Sequence, residues 1–174
     1  RDPAVPLVVP EINPQALPAP AAGGAIIANP NCSTIIALMA ATPVDGLAPV
    51  RRLVACTYQA ASGGGRAMME ELEQQARDWA AGRPLTTEAT GRPYLFNLFS
   101  HDSPIGPDGS NEEERKMAHE TARLWGRDDV RVGATCVRVP VLRAHTVAVH
   151  LELAAPVTVA AARAAIAAFP GVRL

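Results

Sequence analysis

The order of hydrophobic periods along this chain predicts an α+β (mixed α/β) domain, one sheet covered by helices. Three observations carry that expectation. Arg51 to Ala60 and two β-rich runs between Val130 and Pro156 alternate as strands do, while 66–82 and 110–126 repeat at helical spacing between stop signals. In chain order the segments run strand, helix, strand, helix, helix, strand, strand, helix, without any internal repeat. With 174 residues the chain is long enough for one domain with a real core, or for one domain of a larger enzyme.

Leu7 to Pro10 reads as a short strand, followed by the Pro/Ala-rich loop "NPQALPAPAAGG" and a second short apolar run, Ala25 to Ala28. From Ser33, the spacing of Ile35, Ile36, Leu38 and Met39 suits a buried helix that should end before Pro43, because proline disfavours helix in the residue ahead of it. Arg51 to Ala60 is a strand running into "SGGGR". The next helix, "RAMMEELEQQARDWAAG", should bury Met68, Leu72, Ala76 and Trp79 on one face and stop at Gly82. Residues 83–109, rich in Pro, Gly, Asp and Ser, should form an irregular excursion. "SNEEERKMAHETARLWG" carries an N-cap at Ser110 or Asn111, three glutamates in its first turn and Gly126 at its end. Two strands separated near Pro140 follow, and a last Ala-rich helix begins around Thr158 and stops before Pro170.

Composition narrows the function. Sixteen Lys and Arg against 17 Asp and Glu give a net charge of −1, with no basic block to follow a phosphate backbone, so nucleic acid is not expected as a partner. No apolar stretch reaches the ~20 residues of a membrane span, and the chain reads as soluble and cytoplasmic. Cys32, Cys56 and Cys136 are odd in number and widely spaced, which fits neither a disulfide framework nor a structural metal site. The abrupt ends, "RDPAVPLVVPEIN" and "FPGVRL", read as those of a piece from a longer chain.

Cys32 stands between Asn-Pro-Asn and the first helix. Unpaired N–H groups and the dipole at a helix N-terminus favour a thiolate, a plausible nucleophile; a small buried cysteine ahead of an apolar helix is the commoner alternative. A thiol nucleophile needs a proton-transfer partner, and His101, His119, His145 and His150 are available. Arg138 is the odd residue in an apolar strand and needs an anion, either a substrate carboxylate or an internal glutamate. Glu113 and Lys116, three apart, share a helix face and form either a surface ion pair or part of a site. Gln59 closes a strand just before Ser62-Gly63-Gly64-Gly65, a loop that lets a ligand approach the backbone or simply turns the chain. It is not a G-x-G-x-x-G fingerprint, and no dinucleotide-binding βαβ opening is present.

Taken in order, "VPLVVPEIN", "GGAIIANPNCSTI", "TYQAASGGGR", "FNLFSHDSPIG", "NEEERKMAHET" and "CVRVPVLRAHT" resemble the aspartate-β-semialdehyde dehydrogenase family along nearly the whole chain. The resemblance implies a mixed, largely antiparallel sheet covered by helices. Residues 1–24 would connect from a nucleotide-binding domain, and residues 25–174 would form a C-terminally incomplete catalytic and dimerisation domain. It implies NADPH-dependent reductive dephosphorylation of β-aspartyl phosphate to aspartate semialdehyde, a step toward lysine, methionine and threonine. Cys32 would then be the nucleophile that forms an acyl thioester, His145 the acid/base, and Gln59 an orienting residue. Arg138 would grip the substrate carboxylate, Glu113 and Lys116 would serve substrate and phosphate binding, and Asn31 would flank the nucleophile. Ser62 and Gly63 would lie against the nicotinamide end of NADP, whose main binding domain is not in this sequence. The resemblance would place the family's phosphate-binding arginine at or just before Arg1. A homodimer through this domain is implied, and no metal. Two other readings stay open: a dimerisation module without catalysis, and N-acetyl-γ-glutamyl-phosphate reductase, which the "NPNCSTI" and "CVRVPVLRAHT" segments fit less well.

Overall fold

A computed structural model describes residues 2, 4–19 and 23–174, so Arg1 lies outside the described residues. Helix α1 (Cys32–Asp45) leads into strand β1 (Val50–Gln59), and a 3-10 turn at Ala61–Gly64 passes the chain to α2 (Arg66–Ala80). A two-residue strand β2 (Phe99–Ser100) and helix α3 (Glu112–Trp125) follow. Strands β3 (Arg131–Arg138) and β4 (Thr146–Leu153) and helix α4 (Val159–Ala168) complete the order. The sheet runs β2-β3-β1-β4, with β1 parallel to β3 and antiparallel to β4, and β2 antiparallel to β3. This is the α+β class with a mixed sheet that the order of periods predicts.

Alternation along β1 decides where the core sits. Leu53, Ala55, Thr57 and Gln59 are buried, whereas Arg52, Cys56 and Tyr58 face outward and are exposed. The inner face packs on α1 and α3 through a cluster that includes Leu38, Ala41, Leu53, Ala55, Met117 and Leu124. The outer face continues through the paired residues Thr135 and Ala148 beside Cys56, and His150 beside Val54. Thr135, Ala148 and His150 are exposed as well.

Four expectations need correction. The Leu7–Pro10 strand is reduced to one parallel bridge between Leu7 and Ala28, although Leu7 and Val9 join the core. Helix α1 does not stop before Pro43 but runs through it to Asp45. The ring removes one N–H bond near the helix end, and burial of Ala41 and Val44, the Trp125 Nε1–H bond to Thr42 Oγ1 and the Arg127 bond to Asp45 hold the last turn. The buried face of α2 is Met68, Glu71, Leu72, Gln75 and Asp78; Ala76 is exposed and Trp79 is 61 % exposed. The excursion at 83–109 is less irregular than its composition implies. It contains β2, and the buried polar side chains of α2 tie it down. Gln75 Nε2 donates to Thr86 O at 2.7 Å, and Gln75 Oε1 accepts from the N–H groups of Tyr94 and Leu95, both at 2.8 Å.

Helix α3 begins as expected: Asn111 accepts from Glu114 N while the Glu114 carboxylate accepts from Asn111 N, a capping box of about 1 kcal/mol. Its end is Gly126, in the left-handed region at φ 65°.

Candidate active site at the carboxyl ends of the parallel strands

Gln59 and Arg138 are register partners at the last positions of β1 and β3. His145 comes just before β4, whose first residue, Thr146, pairs with Tyr58. The N-terminus of α1 brings Cys32 and that of α3 brings Glu113 and Lys116. Carboxyl ends of parallel strands are where an open sheet leaves a crevice, and two helix N-termini add N–H groups suited to an anion.

Asn31 caps α1, its side-chain oxygen accepting from the N–H groups of Ser33 at 2.9 Å and Thr34 at 3.3 Å. Its amide nitrogen donates to Glu113 Oε2, and its backbone N–H donates to Glu120 Oε2 at 2.8 Å. Thus the segment carrying Cys32, an exposed free thiol, is pinned to α3 through Asn31, by two bonds.

Glu113 is only 5 % exposed, so the pair with Lys116 is not an ordinary surface pair. Besides Asn31 it accepts from Gln59 Nε2 at 3.5 Å and from Lys116 Nζ at 3.3 Å, and it faces His101 Nε2 at 4.0 Å. Burial alone would raise its pKa, but the Asn31 amide, His101 and Lys116 together hold the carboxyl below its ordinary value. Lys116 also reaches Glu112 at 3.1 Å. Burial works against its charge, and these carboxylates raise its pKa regardless.

Arg138 is 4 % exposed. Its internal anion is Asp102, 3.4 Å from Nε, rather than one of the glutamates; NH1 donates to Ala60 O at 3.3 Å and NH2 meets His101 Nε2 at 3.3 Å. The next backbone group along, Ala60 N–H, donates to His145 Nδ1 at 3.0 Å. Accepting there puts the neutral ring's proton on Nε2, so His145 offers the cleft a donor. Burial first, and the Arg138 charge second, lower its pKa. A Cβ added to Gly63 would lie 2.8 Å from His145 Nε2 and 2.9 Å from Arg138 NH1, so this loop packs its backbone directly on both groups. The Ser62 N–H, one residue before, donates to Leu142 O at 3.0 Å.

These contacts join Asn31, Gln59, Glu113, Lys116, Arg138, His145 and the backbone of Gly63 into one continuous cluster beside Cys32. The sequence left Asp102 and Glu120 without roles and offered His101 only as one of four possible proton-transfer partners, of which His119 and His150 are outside this set of contacts. Only His101 carried a usable signal, being a histidine inside one of the quoted motifs. A groove of about 680 Å³ lies alongside, lined by Leu7, Asn29, Glu112, Arg115, Lys116 and His119 among others. Among the described residues no cluster of three His, Cys, Asp or Glu could hold a metal ion, and no helix is long and apolar enough to cross a membrane.

Such a crevice sets an exposed thiol, an imidazole N–H donor and a buried guanidinium together on an α+β sheet, groups of the kind that thiol-based acyl transfer uses. Residues 43–174 match the family described as semialdehyde dehydrogenase, dimerisation domain, and the chain belongs to that family. It is similar to the aspartate-semialdehyde dehydrogenase of Synechocystis, with 51 % identity over 99 % of this chain and 50 % of that protein. The structure of the Vibrio cholerae aspartate semialdehyde dehydrogenase II solved in complex with ASA superposes with a TM-score of 0.89, at 36 % identity, over 96 % of this chain and 49 % of that one. A more distant fold match, the Candida albicans enzyme solved with NADP, has a TM-score of 0.59 at 24 % identity, over 88 % of this chain and 41 % of that one. The chain spans about half the length of the curated relatives it matches.

Proposed function

We propose that this chain supplies the thiol site and the subunit contact of a cytoplasmic aspartate-semialdehyde dehydrogenase that reduces β-aspartyl phosphate to aspartate semialdehyde with release of phosphate. The observation that carries the proposal is the unbroken run of contacts from Asn31 through Glu113 and His101 to Arg138, Ala60 and His145, closing around the start of α1. In this reading residues 1–24 lead in from a nucleotide-binding domain, and residues 25–174 form the catalytic and dimerisation domain.

Cys32 Sγ attacks the acyl carbon, the bond to phosphate breaks, and an acyl thioester remains on Cys32. Arg138 pairs with the substrate carboxylate, and Gln59 orients the acyl group. Lys116, held by Glu112 and Glu113, faces the departing phosphate. When the thioester carbon becomes tetrahedral, its oxyanion takes a hydrogen bond from His145 Nε2–H, and collapse expels the Cys32 thiolate with the aldehyde as product. NADPH, which the other domain would chiefly bind, would supply the hydride that makes this carbon tetrahedral. Gly63 suits its nicotinamide end because the backbone there presents no side chain over His145 and Arg138.

The test joins this chain to the nucleotide-binding half of the Synechocystis relative and follows NADPH formation from aspartate semialdehyde, phosphate and NADP. Cys32→Ser should abolish turnover and Cys56→Ser should leave it. Turnover that survives Cys32→Ser overturns the thioester route, and preference for N-acetylglutamate semialdehyde overturns the substrate.

A further inference from the structure

His101 sits between the two buried charges of the cleft. Its Nε2 lies 3.3 Å from Arg138 NH2 and 4.0 Å from Glu113 Oε1, and its side chain is largely buried. A guanidinium only donates, so the contact with Arg138 asks Nε2 to accept and puts the ring proton on Nδ1, 3.1 Å from Ser103 Oγ. The Ser103 N–H, 3.2 Å from the same Nδ1, suits the other tautomer, in which Nε2–H faces Glu113. In both the ring is uncharged. Burial lowers its pKa, and the pull of Glu113 in the opposite direction does not restore it.

Opposite charges in a partly dry cleft close into a direct pair unless something stands between them. A guanidinium has five N–H donors. Asp102 Oδ2, the Ala60 carbonyl O and His101 Nε2 take one each, on Nε, NH1 and NH2. Two remain among the described contacts, the number a carboxylate accepts from an arginine fork. Were Arg138 to close on Glu113, it would lose those donors, and Glu113 would be drawn off Asn31 and Gln59.

We propose that His101 is a positioning residue, a neutral spacer that keeps Arg138 apart from Glu113 so that the guanidinium keeps two donors for a substrate carboxylate and Glu113 keeps its hold on the Cys32 segment. The carboxylate part rests on the function proposed above; the spacing does not.

Carbon-detected titration of Glu113 by NMR in the 174-residue chain reads the spacing without any ligand. In His101→Ala, Arg138 closes on Glu113, and the Glu113 pKa falls by about one unit or more. His101→Gln, whose amide is neutral and can accept from Arg138, should show no such fall, and adding Arg138→Leu to His101→Ala should cancel the fall. A merely structural role would change the urea midpoint but not this titration. If His101→Ala does not fold, His101→Ser serves, its side chain being too short to reach between the charges. An unchanged or raised Glu113 pKa in the folded variant overturns the proposal. Titrating aspartate semialdehyde into the same proteins separates the underlying function: Arg138→Leu and His101→Ala should each weaken binding about tenfold, and His101→Gln should restore it. If Arg138→Leu binds as tightly as the wild type, the carboxylate grip fails while the spacing stands. If only His101→Ala binds as the wild type does, the spacer has no role in substrate binding.

Discussion

A methyl group on Gly63 would approach both Cε1 and Nε2 of His145 to 2.8 Å, closer than real Cβ contacts come. Neither ring nor guanidinium has slack, since the Ala60 N–H holds His145 Nδ1 and the Ala60 carbonyl holds Arg138. Gly63→Ala should therefore displace the proton donor by a fraction of an ångström to an ångström. We expect kcat/KM of the rejoined enzyme to fall about 10²-fold with a near-unchanged urea midpoint; full activity would show that the loop yields. His101 and His145 also make a prediction about pH. Both rings are held, chiefly by burial, below the ordinary histidine value of 6.5. As pH falls through 6.5 the unfolded chain takes up protons first, so stability is complete above that value and declines below it until the folded rings are themselves protonated. Urea melts from pH 7.5 down to 5.5 should show this decline, and the double variant His101→Gln/His145→Asn should flatten it. An unchanged slope in the double variant would place the acid sensitivity elsewhere.

At the scale of elements, α2 separates what a sequence pattern can reveal from what it cannot. Its boundaries are legible from Gly65 and Gly82, but the apolar spacing points to Ala76 and Trp79, and the helix instead buries Glu71, Gln75 and Asp78. Periodicity counts apolar side chains. It is blind to a polar face whose partners, Thr86, Ala89, Thr90 and Tyr94, lie in a segment without a period of its own. Burial would raise Glu71, but the Thr90 hydroxyl and the N–H groups of Ala89 and Thr90 outweigh it and leave the carboxyl below its ordinary value. The Arg83 and Thr86 bonds likewise depress Asp78. Gln75→Leu would leave the Thr86 carbonyl and the Tyr94 and Leu95 N–H groups without this partner. It should cost about 3 kcal/mol in a urea melt and speed proteolysis of residues 83–98; a loss under about 1 kcal/mol would mean that the excursion finds other partners. Polar partnership also explains the uneven legibility of the site. Gln59 and Arg138 could be placed because they end alternating strands, and Cys32 because it opens a helix. Bringing them together with His101 and Glu113 depends on the parallel register of β1 with β3, which no local spacing contains.

Across the whole molecule, one sheet serves two surfaces. Its carboxyl ends carry the cleft, its inner face carries the core, and its outer face presents Val54, Cys56, Tyr58, Thr135, Ala148 and His150 toward solvent, with Tyr58 44 % exposed. Around Cys56 the residues are small or β-branched with one aromatic, while Arg52, Arg131 and Glu152 form ion pairs at the far end of the same face, and the family is described by its dimerisation. On the proposal that this chain carries the subunit contact, this face is expected to pair with that of a second copy about a two-fold axis. Cys56 lies near the middle of the face, so its thiol reports the contact. Cys136 stays silent in any state, because burial pushes it up to about 11. In the dimer, iodoacetamide should label Cys32 and spare Cys56; Thr135→Arg or Ala148→Arg should give a monomer by sedimentation in which Cys56 reacts alongside Cys32. A dimer in which Cys56 stays fully reactive would move the contact off this face, and a wild-type monomer would remove dimerisation from the chain. Because β1 places Cys56 on the outer face and Gln59, three residues on, in the cleft, pairing of subunits would also stiffen the strand that positions the acyl group. The arginine variants should accordingly lose activity in the rejoined enzyme even though neither residue touches the site.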